Sequence, residues 1–253
     1  MDKGLIRERF AKAKGSYLGA ANIQRQTAEK LMELMQQHIP QQAFEHICEI
    51  GCGTGLFTRL LIKAYRFGEL SLNDICPEVK DTLGDCLRQQ VSFHPGDAEQ
   101  MALPGEPDMI VSCSVLQWFE YPELFIRKCF VSIRPGGYLA FATYGDCNLQ
   151  EITALTGQSL HYHPLRAWRD MIRKYFEIIH AEEELLPLHF NTPVDVLRHF
   201  KETGVSGVRR QQWSPGRLTS FCDEYRQRFE TSDGSVPLTY HPLFMICKKQ
   251  EDI

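Results

Sequence analysis

Apolar residues along the chain recur at two spacings, and the switch between them marks the elements. Between residues 5 and 38 the spacing is helical, as in AEKLMELMQQHI, where Ala28, Leu31, Met32, Leu34 and Met35 share one face. Two helices are expected there. From Phe44 the pattern alternates, predicting a strand through Ile50, a glycine-rich turn, and a helix to about Tyr65. A strand ELSLND, a helix from Pro77 to about Gln89, and a short strand VSFH follow. After PGDAEQMALP come the apolar run DMIVSCSVL, a helix over about residues 122–133, the turn RPGG and a strand YLAFATY. Strands alternating with helices at this interval imply right-handed βαβ units and a mainly parallel, doubly wound α/β sheet of Rossmann-like type.

Beyond residue 146 the rhythm changes. A helix over about 164–175 leads into one long strand-like run, FEIIHAEEELLPLHF, and PVDVLRHFKETGVSGVRR reads as a helix stopped by Gly204. A last strand is expected over residues 236–248. The pattern divides one domain, 1–253, into N-terminal helices (1–43), a ligand-binding core (44–145), a helical insertion (191–230), and that last strand. In open sheets of this kind ligands bind outside the carboxyl ends of the strands, where strand order reverses. The informative turns all fall at those ends.

Charge and cysteine content remove several function classes. A formal net charge of −4 and a pI near 6.1 argue against a chain that lives on nucleic acid, which normally presents a basic domain. The opening MDKGLIRERFAKAKGSY is charged throughout and lacks the apolar run of a signal peptide, and no stretch reaches the roughly 18–20 apolar residues that a membrane helix needs. A soluble cytoplasmic protein with no membrane partner is expected. The cysteines number nine, an odd count in a chain without a secretory segment, so they are expected to be reduced. Cys48 and Cys52 are the closest pair, but no second pair or histidine stands at zinc-finger spacing, and no metal site is expected.

The turn CEIGCGTGLF narrows the ligand. A dinucleotide fingerprint, G-x-G-x-x-G, would need glycine where Leu56 stands, and a phosphate-binding P-loop would need a lysine directly after its last glycine, whereas none follows Gly55 until Lys63. S-adenosyl-L-methionine (SAM) remains. The run Glu49, Gly51, Gly53, Gly55 matches every fixed position of E-x-G-x-G-x-G and resembles the class I methyltransferases, whose sheet has seven strands. The physics agrees, because an acidic Glu49 complements the sulfonium and ammonium of SAM and would repel a pyrophosphate. Cys52 belongs to the same loop. Asp74, about 20 residues beyond the glycines and followed by Ile75, stands where a ribose diol is normally gripped. The resemblance further implies that Asp97 and Ala98 face the adenine and that Ser112 lines the methionine side. Singly, Asp74 also fits a helix cap and Asp97 a turn residue.

For the methyl acceptor, SCSVLQWF replaces the Asn/Asp-Pro-Pro-Tyr of enzymes that methylate base amines. Gln117 and Trp118 are candidates to line the acceptor pocket, Trp118 also fitting a core position. RFAKAKGSYLGAANIQRQTAEKL, SCSVLQW, IRPGGYLAFATYGDCNLQEI, VLRHFKETGVSG and PLTYHPLF together resemble the malonyl-acyl-carrier-protein O-methyltransferases of biotin biosynthesis over nearly the whole chain. That resemblance implies methylation of the free carboxylate of a malonyl group carried as a thioester on phosphopantetheine, with acyl carrier protein as partner. Excluding water from that carboxylate calls for a lid, with the N-terminal helices and the insertion 191–230 as candidates, and Tyr17 would close over the methyl group or orient the carboxylate, although it also fits an aromatic packed on the sheet edge. Arg209 and Arg210 are candidates for a carboxylate fork. Arg198, Lys201, Arg209, Arg210 and Arg217 form a local basic excess suited to an acidic carrier. Two alternatives stay open: a methyltransferase for another small acid or a quinone-like acceptor, and a non-catalytic SAM-binding module. Oligomeric state is not legible.

Overall fold

The computed structural model describes Lys3, Gly4, Arg7 and residues 22–202 and 214–250. Helix α1 (Asn22–His38) buries the stripe that the spacing predicts, with Ala28, Leu31 and Met35 fully enclosed. It packs on α2 (Leu56–Ala64) and against the sheet.

Nine strands are described: β1 (Ala43–Ile50), β2 (Arg66–Asp74), β3 (Val91–Pro95), β4 (Met109–Cys113), β5 (Tyr138–Tyr144), β6 (Glu177–Glu183), β7 (Leu186–Phe190), β8 (Val236–Tyr240) and β9 (Pro242–Lys248). Seven form one sheet in the order β3-β2-β1-β4-β5-β9-β6. The first five run parallel, and β9 enters antiparallel between β5 and β6. Every residue of β5 is buried, as a central strand covered on both faces requires, which is why its sequence is nearly all apolar. One core cluster joins α1 and α2 to one sheet face. The other face is covered by α3 (Pro122–Ser132) and α5 (Leu165–Ile172), with Trp168 fully enclosed.

A third cluster lies beside the sheet. There β7 and β8 pair as a two-stranded antiparallel sheet, against which α4 (Gln150–Thr156), α6 (Pro193–Glu202) and α7 (Pro215–Phe229) pack through Val196, Phe221, Tyr225 and Leu238. Within the range 191–230 expected as an insertion, Pro193–Glu202 and Pro215–Phe229 are helical, while 203–213, with the stop expected at Gly204, lie outside the described residues. The two helices share this small core with α4 and the hairpin. The buried Glu151 carboxylate ties α4 to β8, accepting from the Thr239 amide at 3.0 Å and its hydroxyl at 2.5 Å.

Three expected elements take other forms. The helix expected over 77–89 is a 3-10 turn, Pro77–Thr82, followed by further turns; Gly84 stands where the helix would continue and favours the break. The run 176–190 divides into β6 and β7, belonging to different sheets. The run 236–248 likewise divides at His241, whose carbonyl accepts from Gly145 N–H at 2.8 Å and whose amide donates to Asn148 Oδ1 at 3.1 Å. The loop after β5 thus claims both backbone groups of His241, and β8 leaves the main sheet at that point.

Candidate active site

Strand order reverses between β1 and β4, and a cavity opens there at the carboxyl ends of the parallel strands. The glycine turn forms its floor. Amides of Gly51 and Cys52 both donate to the Asn73 carbonyl, at 2.8 and 2.9 Å, which folds the turn back over the end of β2. Gly51 adopts φ +71, and a Cβ on it would stand 2.2 Å from Val115 Cγ2, so neither the angle nor the space admits a side chain. Gly55 does not line the cavity; it starts α2 at φ +81.

Two carboxyl groups line this floor. Glu49, at the end of β1, is 1% exposed and accepts from Thr58 Oγ1 at 2.7 Å. Burial pushes its carboxyl up to about 8; the Thr58 hydrogen bond pulls the other way and the Asp74 charge adds to the rise. Asp74, ending β2, accepts from Gly53 N–H and from Cys76 N–H, each at 2.8 Å. Burial raises its pKa, while those two amides oppose the rise. Its oxygens keep further lone pairs free for hydroxyl donors.

Ile75, Asp97, Ala98, Cys52, Gly53 and Trp118 also line the cavity. Asp97 carries a partner that the sequence reading did not include: Lys3 Nζ lies 2.7 and 2.9 Å from its two oxygens and also pairs with Glu99. Arg7 reaches Glu78 at 2.9 Å, so two N-terminal residues bind the loops that follow β2 and β3. Ser112 and Gln117 lie behind the cavity wall. The Ser112 hydroxyl donates to the Ile50 carbonyl at 3.0 Å, and the Gln117 amide donates to the Ser114 carbonyl at 2.7 Å while accepting from Thr143. Ser114 does line it, in the left-handed region at φ +61, a strained conformation for a residue with a Cβ. Tyr17, Arg209 and Arg210 lie outside the described residues. Among the dock candidates Arg198 and Arg217 are exposed, Arg198 pairing with Asp195 at 2.7 Å; Lys201 belongs to α6.

Two lining residues that the spacing did not single out are Gln24 of α1 and Thr54 of the turn. Gln24 Oε1 and Thr54 Oγ1 are buried, and among the described residues neither has a hydrogen-bond partner. The cavity is thus rich in hydrogen-bond acceptors, a setting for a ligand that brings its own donors and for a cation that draws the proton off Glu49. SAM is such a ligand, with an ammonium, a ribose diol, an adenine amino group and a sulfonium. A phosphate-bearing ligand is disfavoured there, because Glu49 and Asp74 offer acceptors where phosphate oxygens would need donors.

The sheet order, the antiparallel strand inserted beside β5 and the acidic glycine turn together define a class I SAM-dependent methyltransferase. Residues 48–141 match the methyltransferase domain family. The crystal structure of the N-methyltransferase NodS from Bradyrhizobium japonicum WM9 with S-adenosyl-L-homocysteine (SAH) shares the fold at a TM-score of 0.55, covering 88% of this chain and 87% of that one, at 17% identity. Closer in sequence is the malonyl-[acyl-carrier protein] O-methyltransferase of Bacteroides thetaiotaomicron, 43% identical over 99% of this chain and 100% of its own length. The Bacteroides fragilis protein of the same name is 45% identical over 98% of this chain, which spans 51% of that longer relative. The chain belongs to the malonyl-[acyl-carrier protein] O-methyltransferase family. No helix among the described residues is long and apolar enough to cross a membrane.

Proposed function

We propose that the chain methylates the free carboxylate of malonyl-acyl carrier protein, or of malonyl-coenzyme A, and that the resulting ester primes assembly of the pimeloyl chain of biotin in the cytoplasm. The observation that carries this reading is the end-to-end match to the Bacteroides thetaiotaomicron relative, which takes in the helices and strands outside the shared methyltransferase core.

Bound SAM supplies an electrophilic methyl group on a sulfonium. The chain's own residues then hold and enclose. Glu49 would face the cationic end, Asp74 the ribose, and Asp97 with Ala98 the adenine, with Gly51, Cys52, Gly53 and Ile75 shaping the walls. A malonyl carboxyl, with a pKa of about 4, is already ionised at neutral pH, so no general base is required. Thiols are not called on either: burial pushes Cys48 and Cys113 up to about 12, leaving them protonated. Catalysis then rests on positioning the carboxylate and excluding water, since charge is neutralised as the bond forms. Trp118 and Phe119 provide apolar wall for that purpose. Gln117, bonded to the Ser114 carbonyl, would set the wall's shape from behind, and Ser112 would brace the methionine side through β1. Tyr17, Arg209 and Arg210 are the proposed acceptor contacts, and 1–43 with 191–230 the proposed lid.

Mass spectrometry of malonyl-acyl carrier protein incubated with the chain and SAM tests the reaction, beside malonyl-coenzyme A and free malonate. Gain of one methyl on the carrier-bound malonyl group, absent without SAM, is expected. No gain on any of the three, with SAH binding shown separately, would retire the acceptor and keep the methyltransferase. The dock is proposed over Arg198, Lys201, Arg210 and Arg217. Reversing Lys201 and Arg210 to glutamate should then slow carrier-bound substrate more than the coenzyme A thioester; equal losses would count against it.

A further inference from the structure

Among the described residues none donates a hydrogen bond to the side-chain oxygen of Gln24. Gln24 is 6% exposed, and its amide oxygen is sealed from solvent, yet the residue lines the cavity. Such an acceptor costs about 1–3 kcal/mol unless a ligand supplies the missing hydrogen bond. Its place narrows which ligand group that is. The ribose and adenine candidates, Asp74 and Asp97, stand at the ends of β2 and β3. Gln24 instead comes from α1, whose neighbouring Ile23 packs with Tyr144 of β5, on the other side of the strand reversal. Ser114, just after β4, and Gln24 therefore belong to the β4–β5 side of the cavity, away from the adenine candidate after β3, with Glu49 of β1 between the two sides. On the β4–β5 side the donor that SAM carries is the α-ammonium of its methionine part.

We propose that the Gln24 amide oxygen accepts a hydrogen bond from the cofactor's α-ammonium, making Gln24 a residue that recognises the amino-acid moiety and fastens α1 over the bound cofactor. The inference rests on the cofactor reading above. Its test compares two ligands that share the adenosine end: SAH, which has the α-amino-acid group, and 5′-methylthioadenosine, which lacks it. In calorimetric titrations of the full chain, Gln24→Leu should bind SAH about 10-fold more weakly, which corresponds to about 1.4 kcal/mol, while affinity for 5′-methylthioadenosine changes less than 2-fold. Gln24→Met, of similar length and also without a hydrogen-bonding amide, should behave alike and covers the case in which the leucine variant folds poorly. The ligand-free melting midpoint of either variant should equal or exceed that of the unmodified chain, because an unpaired buried acceptor has been removed. Equal losses on both ligands, no loss on SAH, or a lowered ligand-free midpoint would each overturn the inference. Failure of the unmodified chain to bind SAH would instead overturn the cofactor assignment on which it stands.

Discussion

Glu49 makes the affinity for SAM depend on pH in a way the structure specifies. Enclosed at 1% exposure and pushed up to about 8, its carboxyl is roughly 90% protonated at pH 7 in the ligand-free chain. A bound sulfonium and ammonium should return it to the ordinary carboxylate range near 4.3 and release the proton. Binding then strengthens as pH rises toward 8. Between pH 5.5 and 7.5 the ligand-free form must lose a proton from a site at about 8, so affinity should rise by between about 10- and 100-fold, or about 1–3 kcal/mol. The window stops at pH 7.5 because an α-ammonium itself titrates at about 7.7–8.0. Calorimetry of SAM in two buffers of different ionisation enthalpy counts the protons directly, and about 0.9 should leave per SAM bound at pH 7. Glu49→Gln keeps the shape and removes the titration, so its affinity should be flat over the window and should fall furthest below the unmodified chain at its upper end. A flat profile in the unmodified chain, or an unchanged slope in the variant, would refute the argument.

The same carboxyl affects stability with the opposite sign from a salt-bridged acid. Its folded pKa lies above the unfolded one, so the ligand-free chain binds the extra proton between about pH 4.5 and 8 and loses up to about 5 kcal/mol as pH rises through that window; urea melts of the unmodified chain should show this loss against Glu49→Gln, and parallel curves would sink it. Gly51→Ala should destabilise by about 3 kcal/mol, combining the left-handed backbone with the clash on Val115, whereas Gly53→Ala, with φ +51 and open space around it, should cost about 1–2 kcal/mol; equal costs by chemical denaturation would contradict the geometry. Glu151→Ala strands the Thr239 amide and should lower stability by about 1–3 kcal/mol, which an unchanged urea midpoint would disprove.

Legibility followed the physical range of each signal. The glycine turn, Asp74 and the parallel core were readable because strand, turn and helix there are set by near neighbours, and because a fully covered strand such as β5 is nearly all apolar. The division at His241 was not, since it depends on Gly145 and Asn148, far away in sequence, and the run around it keeps one apolar pattern throughout. Ser112 and Gln117 stand near the cavity in sequence, but the spacing cannot say that their polar atoms turn toward Ile50 and Ser114. Gln24 was hidden for a different reason: on α1 it looks like one more polar residue, and only the packed structure shows its oxygen sealed without a partner among the described residues.

The position of β9 has a bearing on how the chain is made. It follows every other strand in sequence yet lies between β5 and β6, and β6 touches the main sheet only through it. While residues 145–241 emerge from the ribosome, the apolar flank of β5 stands without its neighbour for several seconds to tens of seconds at about 5–20 residues per second. Such an edge invites pairing with other nascent chains. The cofactor half can assemble early, but the sheet can be sealed only when the final strand arrives.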